Sequence, residues 1–139
     1  MYVELSDEAR RYMGRFDELT GVAPRDCLVE GDRLVFVIPA GEMAAAIGQG
    51  GATVTEAEQQ LGRSVELVED ADTPASFVAS ALAPAAVTAV TISEQDDRVA
   101  YVEVAPADRG VAIGADGQNI ETARTLAKRH YDVDDVQLT

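Results

Sequence analysis

The chain has few of the residues that build disulfide, metal and redox sites. Its 139 residues include one cysteine, one histidine and no tryptophan. A lone Cys27 excludes an internal disulfide, and Cys27 with His130 supplies too few ligands for a zinc site. We therefore interpret Cys27 as a small, half-buried thiol, and we expect neither a bound metal nor a cofactor.

Long apolar segments are also missing. No run approaches the roughly 18 apolar residues of a membrane span. The first eight residues have neither the basic nor the apolar region of a secretory signal. Hydrophobic residues still make up 47% of the chain, which is enough for a packed core. These features predict a folded cytoplasmic protein without a membrane partner.

Motifs of catalysis are absent too. The sequence contains no Gly-x-Ser-x-Gly elbow, and its glycine-rich segments lack the lysine of a phosphate-binding P-loop. Neither segment is a Gly-x-Gly-x-x-Gly that follows a strand. We predict that the chain is not an enzyme and has no small-molecule substrate.

Basic residues are scarce, and lysine is almost absent. Eleven basic residues face 25 acidic ones, for a formal net charge of −14, and Lys128 is the one lysine. Such acidity normally argues against nucleic acid as a partner. An acidic, lysine-poor surface is, however, typical of halophilic archaea. The Debye length in molar salt is about 3 Å, so the bulk charge would scarcely repel an approaching phosphate.

What the chain does contain is a repeat. The segment AIGQGGATV over 46–54 aligns without gaps with AIGADGQNI over 112–120, at an offset of 66 residues. Upstream, DRLVFV over 32–37 aligns with DRVAYV over 97–102, at an offset of 65. This alignment pairs Phe36 with Tyr101 and predicts that both lie in a core. Two units of this length account for nearly the whole chain.

Each unit has the same predicted order of elements, α-β-β-α-α-β. In the first unit, apolar residues at helical spacing follow Ser6, a plausible N-cap, and Gly21 ends the helix. Its remaining elements are predicted over 27–30, 33–38, 42–47, 53–61 and 64–68. In the second unit, Thr73 and Pro74 open a helix that runs to about residue 82. The elements that follow are predicted over 87–92, 98–104, 107–113, 119–130 and 133–138.

The Gly-x-x-Gly loops between paired helices are suited to a phosphate backbone. Glycine leaves no Cβ between the main chain and a ligand, and the next helix presents free amides and a positive dipole end. In the second loop, the amides of Gly117 and Gln118 would supply this attraction. The apolar residues before and after each loop, Ile47 and Val54 or Ile113 and Ile120, are expected to anchor the helices in the core.

Two such loops, each after a β-hairpin and a short helix, resemble the KH family in its prokaryotic (type II) arrangement. More closely, the chain is similar to the archaeal NusA-like transcription factors, which are little more than two tandem KH domains. The resemblance implies an α/β (α+β) fold with a three-stranded sheet in each domain, over 1–69 and 73–139. It also implies a factor of transcription termination or antitermination that binds single-stranded RNA and associates with RNA polymerase.

The resemblance carries over to specific loop residues. The RNA-binding residues it implies are Ile47, Gly48, Gln49, Gly50 and Gly51 in the first loop, and Ile113, Gly114, Ala115, Asp116, Gly117, Gln118 and Asn119 in the second. KH loops often have a lysine or arginine between the glycines, and neither loop has one. Because Asp116 puts a carboxylate where a phosphate would approach, we expect the first loop to dominate.

Two questions stay open at this level. Arg63, Arg109, Arg124, Lys128 and Arg129 could flank an RNA groove, or they could form ion pairs on a solvated surface. The alternative function is a protein-interaction or assembly module whose KH folds dock on RNA polymerase or the ribosome without strong RNA binding.

Overall fold

The computed structural model describes residues 5–139, which form two compact units over 5–70 and 71–139. The predicted start of the first domain at residue 1 lies outside the described residues. Within this part of the chain, no helix is long and apolar enough to cross a membrane.

The first unit has the predicted order of helices and strands. Ser6 caps the first helix by accepting a hydrogen bond from the Ala9 amide at 3.1 Å, and Gly21 ends it in the left-handed conformation. The elements are α1 (Asp7–Thr20), β1 (Asp26–Glu30), β2 (Arg33–Ile38), α2 (Met43–Ile47), α3 (Ala52–Leu61) and β3 (Ser64–Glu69).

The second unit repeats this order with a longer final helix. Thr73 caps its first helix, and Pro74 occupies the first turn, where no amide is needed. The elements are α4 (Pro74–Ala81), β4 (Val87–Ser93), β5 (Val99–Val104), α5 (Arg109–Ile113), α6 (Gln118–Tyr131) and β6 (Asp135–Leu138). A 3₁₀ turn over Pro106–Asp108 precedes α5, so the helix predicted over 107–113 is split.

Each unit contains its own three-stranded sheet, as predicted. The strand orders are β1-β2-β3 and β4-β5-β6. In both sheets the first two strands form an antiparallel hairpin, and the last strand pairs in parallel with the central one. In the first unit, Phe16 of α1 stacks on Phe36 of β2 at a centroid distance of 4.3 Å. The central strand thus supplies buried side chains to the core, and α2, the short helix before the glycine loop, is the next element after it.

The prediction that Tyr101 lies in the core is wrong. Tyr101 is 38% exposed, while Ala100, Val102 and Val104 on the same strand are buried. Val102 precedes Gly114 by the same distance as the buried Phe36 precedes Gly48, so the offset of 66 extends through the central strand. Because side chains alternate along a strand, the one-residue slip in the alignment moved Tyr101 to the wrong face.

Candidate nucleic-acid interface

Both glycine loops have the same backbone conformation. The first glycine of each, Gly48 or Gly114, has φ near 80° and ψ near 170° (77° and 169°, 80° and 171°). Gly51 and Gly117 are left-handed, with φ of 79° and 75°. Equal dihedral angles in segments of different sequence place the four glycines in equivalent settings.

The first glycine of each loop is required by close contact with the next helix. A Cβ on Gly48 would lie 2.1 Å from Oγ1 and 2.8 Å from the amide nitrogen of Thr53. A Cβ on Gly114 would lie 2.8 Å from the amide nitrogen of Asn119. Asn119 also donates from Nδ2 to the Val111 carbonyl at 2.9 Å, which ties α6 to α5. Thr53 was not among the predicted site residues, although it stands 66 residues before Asn119.

Asp116 has a conformation that favours glycine. Its φ is 54° and its ψ is 25°, close to the 63° and 19° of Gly50 at the equivalent position of the first loop. Aspartate and asparagine are the side chains that best tolerate this region. The two loops therefore differ in charge at a shared backbone geometry, with the exposed Asp116 carboxylate where the first loop has only hydrogen.

The loop amides are partly occupied, which corrects one expectation. The amide of Gly117 donates to the Gly114 carbonyl at 3.1 Å, and that of Gln118 donates to the Ala115 carbonyl. The first loop repeats both bonds, from Gly51 to Gly48 and from Ala52 to Gln49. The amides of Gly117 and Gln118 are thus engaged inside the turn, because the loop closes as a 3₁₀ turn before the helix starts.

The expectation that Ile47 and Ile113 anchor the helices in the core is also wrong. Their exposed fractions are 37% and 38%, and Ala46 and Ala112, one residue earlier, are fully buried. The short helices present their isoleucines to solvent beside the loops because the small alanines face inward. After the second loop Ile120 is buried at 7%, as predicted, whereas Val54 is only partly buried.

The basic residues of the second unit mostly face carboxylates. Arg124 Nε lies 2.8 Å from Asp135 and donates to the Val136 carbonyl at 3.0 Å. Lys128 Nζ lies 2.6 Å from Asp134 and 3.4 Å from Asp132. The hydrogen bond between Lys128 and Asp134 lowers the pKa of the Asp134 carboxyl and raises the pKa of the Lys128 ammonium. These contacts favour the ion-pair interpretation over a basic wall of an RNA groove.

Two further arginines are held by main-chain oxygens. Arg63 donates to the Gly31 carbonyl at 2.5 Å, and Arg109 donates to Thr139 at 2.7 Å. Each unit thus presents its own glycine loop with an exposed isoleucine before it. Four of the five predicted basic residues are engaged by carboxylates or main-chain oxygens: Arg63, Arg109, Arg124 and Lys128.

Comparison with known proteins identifies both units. A family model described as a NusA-like second KH domain matches residues 74–138, and one described as a KH domain matches residues 10–73. A probable transcription termination protein NusA from Halobacterium salinarum is 60% identical over 139 residues, all of both chains. Its counterpart from Halococcus morrhuae is 54% identical over 99% of each chain.

A solved structure agrees with the fold. The crystal structure of APE1850 has a TM-score of 0.83 and 28% identity, and the match covers 97% of this chain and all of that one. The relatives from Halobacterium and Halococcus are halophilic archaeal proteins, in agreement with the interpretation of the acidic composition. The matches confirm the predicted resemblance and the prediction that the chain is not an enzyme.

Proposed function

Because the chain belongs to the NusA family of KH-domain transcription termination proteins, we propose that it binds single-stranded RNA through its two glycine loops and acts in termination or antitermination. The observation that supports this proposal most strongly is the backbone geometry that the two loops share despite their different sequences. The modules are residues 1–69 and 73–139, and RNA polymerase is the proposed protein partner.

The first loop offers a bare main chain to a phosphate. A Cβ on Gly50 or Gly51 would meet nothing within 4 Å, so this side of the loop is open. The amides of Gly51 and Ala52 are engaged, and the proposed donors are therefore the amides of Gln49 and Gly50 together with the exposed Gln49 side chain. Contacts of this kind follow the sugar-phosphate chain and need no lysine or arginine.

The exposed isoleucines form an apolar surface that RNA bases can contact. Ile47 precedes the first loop, and Ile113 and Val111 precede the second, all at least 37% exposed. When the unstacked bases of a single strand contact apolar side chains, the burial of apolar surface is favourable in free energy. Salt does not screen this contribution, because it does not depend on charge. We propose that Ile47 and Ile113 contact bases next to the clamped phosphates, which suits a protein that works in concentrated salt.

Replacing Asp116 by asparagine is expected to tighten RNA binding at moderate salt and hardly at all in molar salt. Like charges about 6 Å apart repel by roughly 3 kcal/mol at an effective dielectric near 20, and a Debye length near 3 Å removes most of this. We expect about a tenfold lower Kd at moderate salt and less than a twofold change at about 3 M KCl. Asparagine tolerates the left-handed backbone, so the loop is preserved.

The measurement is isothermal titration with single-stranded RNA across a salt series, with circular dichroism to verify folding at each point. Asp96→Asn, in the turn between β4 and β5, removes the same charge elsewhere in the second unit and serves as the control. Equal affinities of wild type and Asp116→Asn at every salt concentration would mean that no phosphate lies near the second loop.

Filter binding of the wild-type chain with single-stranded RNA at about 2–3 M KCl tests the proposed function itself. Retention of RNA under these conditions supports it. No retention at any salt concentration at which the chain is folded would favour the alternative of a protein-docking module.

A further inference from the structure

A cleft with two arginines lies in the first unit, away from its glycine loop. It has a volume of about 390 Å³ and is formed by α1 and the last residues of α3. Its lining residues are Glu8, Arg11, Tyr12, Arg15, Gln60 and Leu61. The loop stands at the start of α3 and the cleft at its end, and ten helical residues separate them by about 15 Å. The cleft is therefore a different surface from the proposed loop site.

The two arginines of the cleft outnumber Glu8, the one carboxylate in its lining. Arg11 and Arg15 are four residues apart on one face of α1, an arrangement that destabilises a helix when the charges are alike. Arg11 forms no ion pair within residues 5–139, and Arg15 pairs with Glu18 at 3.2 Å with both side chains largely exposed. An exposed ion pair of this kind is weak, so Glu18 neutralises Arg15 only in part.

The remaining walls add rigidity and a third positive charge. Tyr12 and Leu61 are partly buried and pack against the core, so the floor of the cleft is fixed. The guanidinium of Arg63 lies 5.6 Å from the centre of the Tyr12 ring and donates to the Gly31 carbonyl. Arg63 therefore holds the ring from outside the cleft lining and raises the local positive potential.

We propose that this cleft binds backbone phosphates of the same single-stranded RNA, beyond the nucleotides held by the first loop. The planar forks of Arg11 and Arg15 match phosphate oxygens, and the Gln60 amide supplies a further donor. A strand clamped at the start of α3 is present at high effective concentration at its end. The inference rests on the proposed function, and it assigns the cleft to strands longer than the four nucleotides of a single KH clamp.

The test compares Arg11→Gln/Arg15→Gln with wild type, because glutamine keeps the helix propensity and removes both charges. Fluorescence anisotropy is measured with single-stranded RNAs of about four and about ten nucleotides across a salt series. The short RNA should bind both proteins equally. The long RNA should bind the variant about tenfold more weakly at the lowest salt at which both are folded. Loss of two phosphate contacts should also reduce the slope of log K against log salt by about 1.4.

Arg10→Gln is the matched control, since Arg10 is exposed on the same helix but does not line the cleft. It should leave binding of the long RNA close to wild type. The proposal is overturned if the double variant binds the long RNA with wild-type affinity and slope, as it would if the cleft bound an acidic protein segment. It is also overturned if Arg10→Gln weakens binding as much as the double variant does.

The loop variant Gln49→Asp/Gly50→Asp separates the two proposals. If it binds both RNAs like wild type while Arg11→Gln/Arg15→Gln loses the long RNA, the loop function fails and the cleft stands. If it loses both RNAs while the arginine variant matches wild type, the loop function stands and the cleft fails.

Discussion

Gln49→Asp/Gly50→Asp is expected to lose about 100-fold in affinity for single-stranded RNA at moderate salt while the fold is unchanged. Two carboxylates would then lie at the proposed phosphate position, each repelling a phosphate about 6 Å away by roughly 3 kcal/mol before screening. A loss of 100-fold corresponds to about 2.7 kcal/mol, less than the sum because solvent and salt screen both charges. The backbone tolerates the change, since Asp116 already has this conformation at the position equivalent to Gly50.

The matched control is Gln49→Asn/Gly50→Asn, which has the same shape and no charge. It should bind within a few-fold of wild type, because asparagine also adopts the left-handed conformation and can donate to a phosphate. Anisotropy titrations of the three proteins give the comparison, with circular dichroism as the check on folding. If the aspartate variant is folded and binds RNA with wild-type affinity, the first loop does not bind the RNA phosphates.

Gly48→Ala is expected to destabilise the first unit by about 3 kcal/mol or more. The φ of 77° and ψ of 169° belong to a region that is essentially restricted to glycine, at a cost of about 1–3 kcal/mol for other residues. The new Cβ would also overlap Thr53, whose Oγ1 would be 2.1 Å away. Relief of that contact requires α3 to shift from α2, so the loop would change shape as well.

Chemical denaturation followed by circular dichroism measures this effect, and Gly14→Ala is the control. Gly14 lies inside α1, without positive φ and with nothing within 4 Å of the position that a methyl group would occupy, so alanine should stabilise by about 0.5–1 kcal/mol. Adding Thr53→Ala to Gly48→Ala should recover only part of the loss, because the Thr53 amide nitrogen remains 2.8 Å from the new Cβ. A Gly48→Ala protein as stable as wild type would contradict the loop geometry.

The order of helices and strands could be predicted from local signals. The ends of α1 and the start of α4 are set by residues next to them in the sequence. Ser6 and Thr73 accept main-chain hydrogen bonds at the starts, Pro74 needs no amide partner, and Gly21 ends α1. A short apolar run after the Gly31-Asp32 turn predicted the central strand of the first unit over the same residues as observed, Arg33–Ile38. The loops could be located because glycine at a repeated spacing has few substitutes where φ is positive.

What could not be predicted depends on contacts between distant residues. The matching dipeptide Asp-Arg at 32 and 97 set the strand alignment one residue off, and only strand pairing reveals which face of β5 is buried. The exposure of Ile47 and Ile113 depends on how the short helices pack, with Ala46 and Ala112 inward. The engaged amides of Gly117 and Gln118 follow from a 3₁₀ turn that the sequence pattern does not distinguish from a free helix start.

The central claim is that RNA lies on the first glycine loop, and amide chemical-shift mapping of the wild-type chain in molar KCl tests it directly. On addition of a single-stranded RNA, the amides of Gln49 and Gly50 should shift most, with Ile47 and the start of α3 following. The equivalent residues Ala115 and Asp116 should shift less, because the carboxylate of Asp116 opposes the phosphate. Shifts confined to other surfaces, with Gln49 and Gly50 unchanged at saturating RNA, would contradict the account.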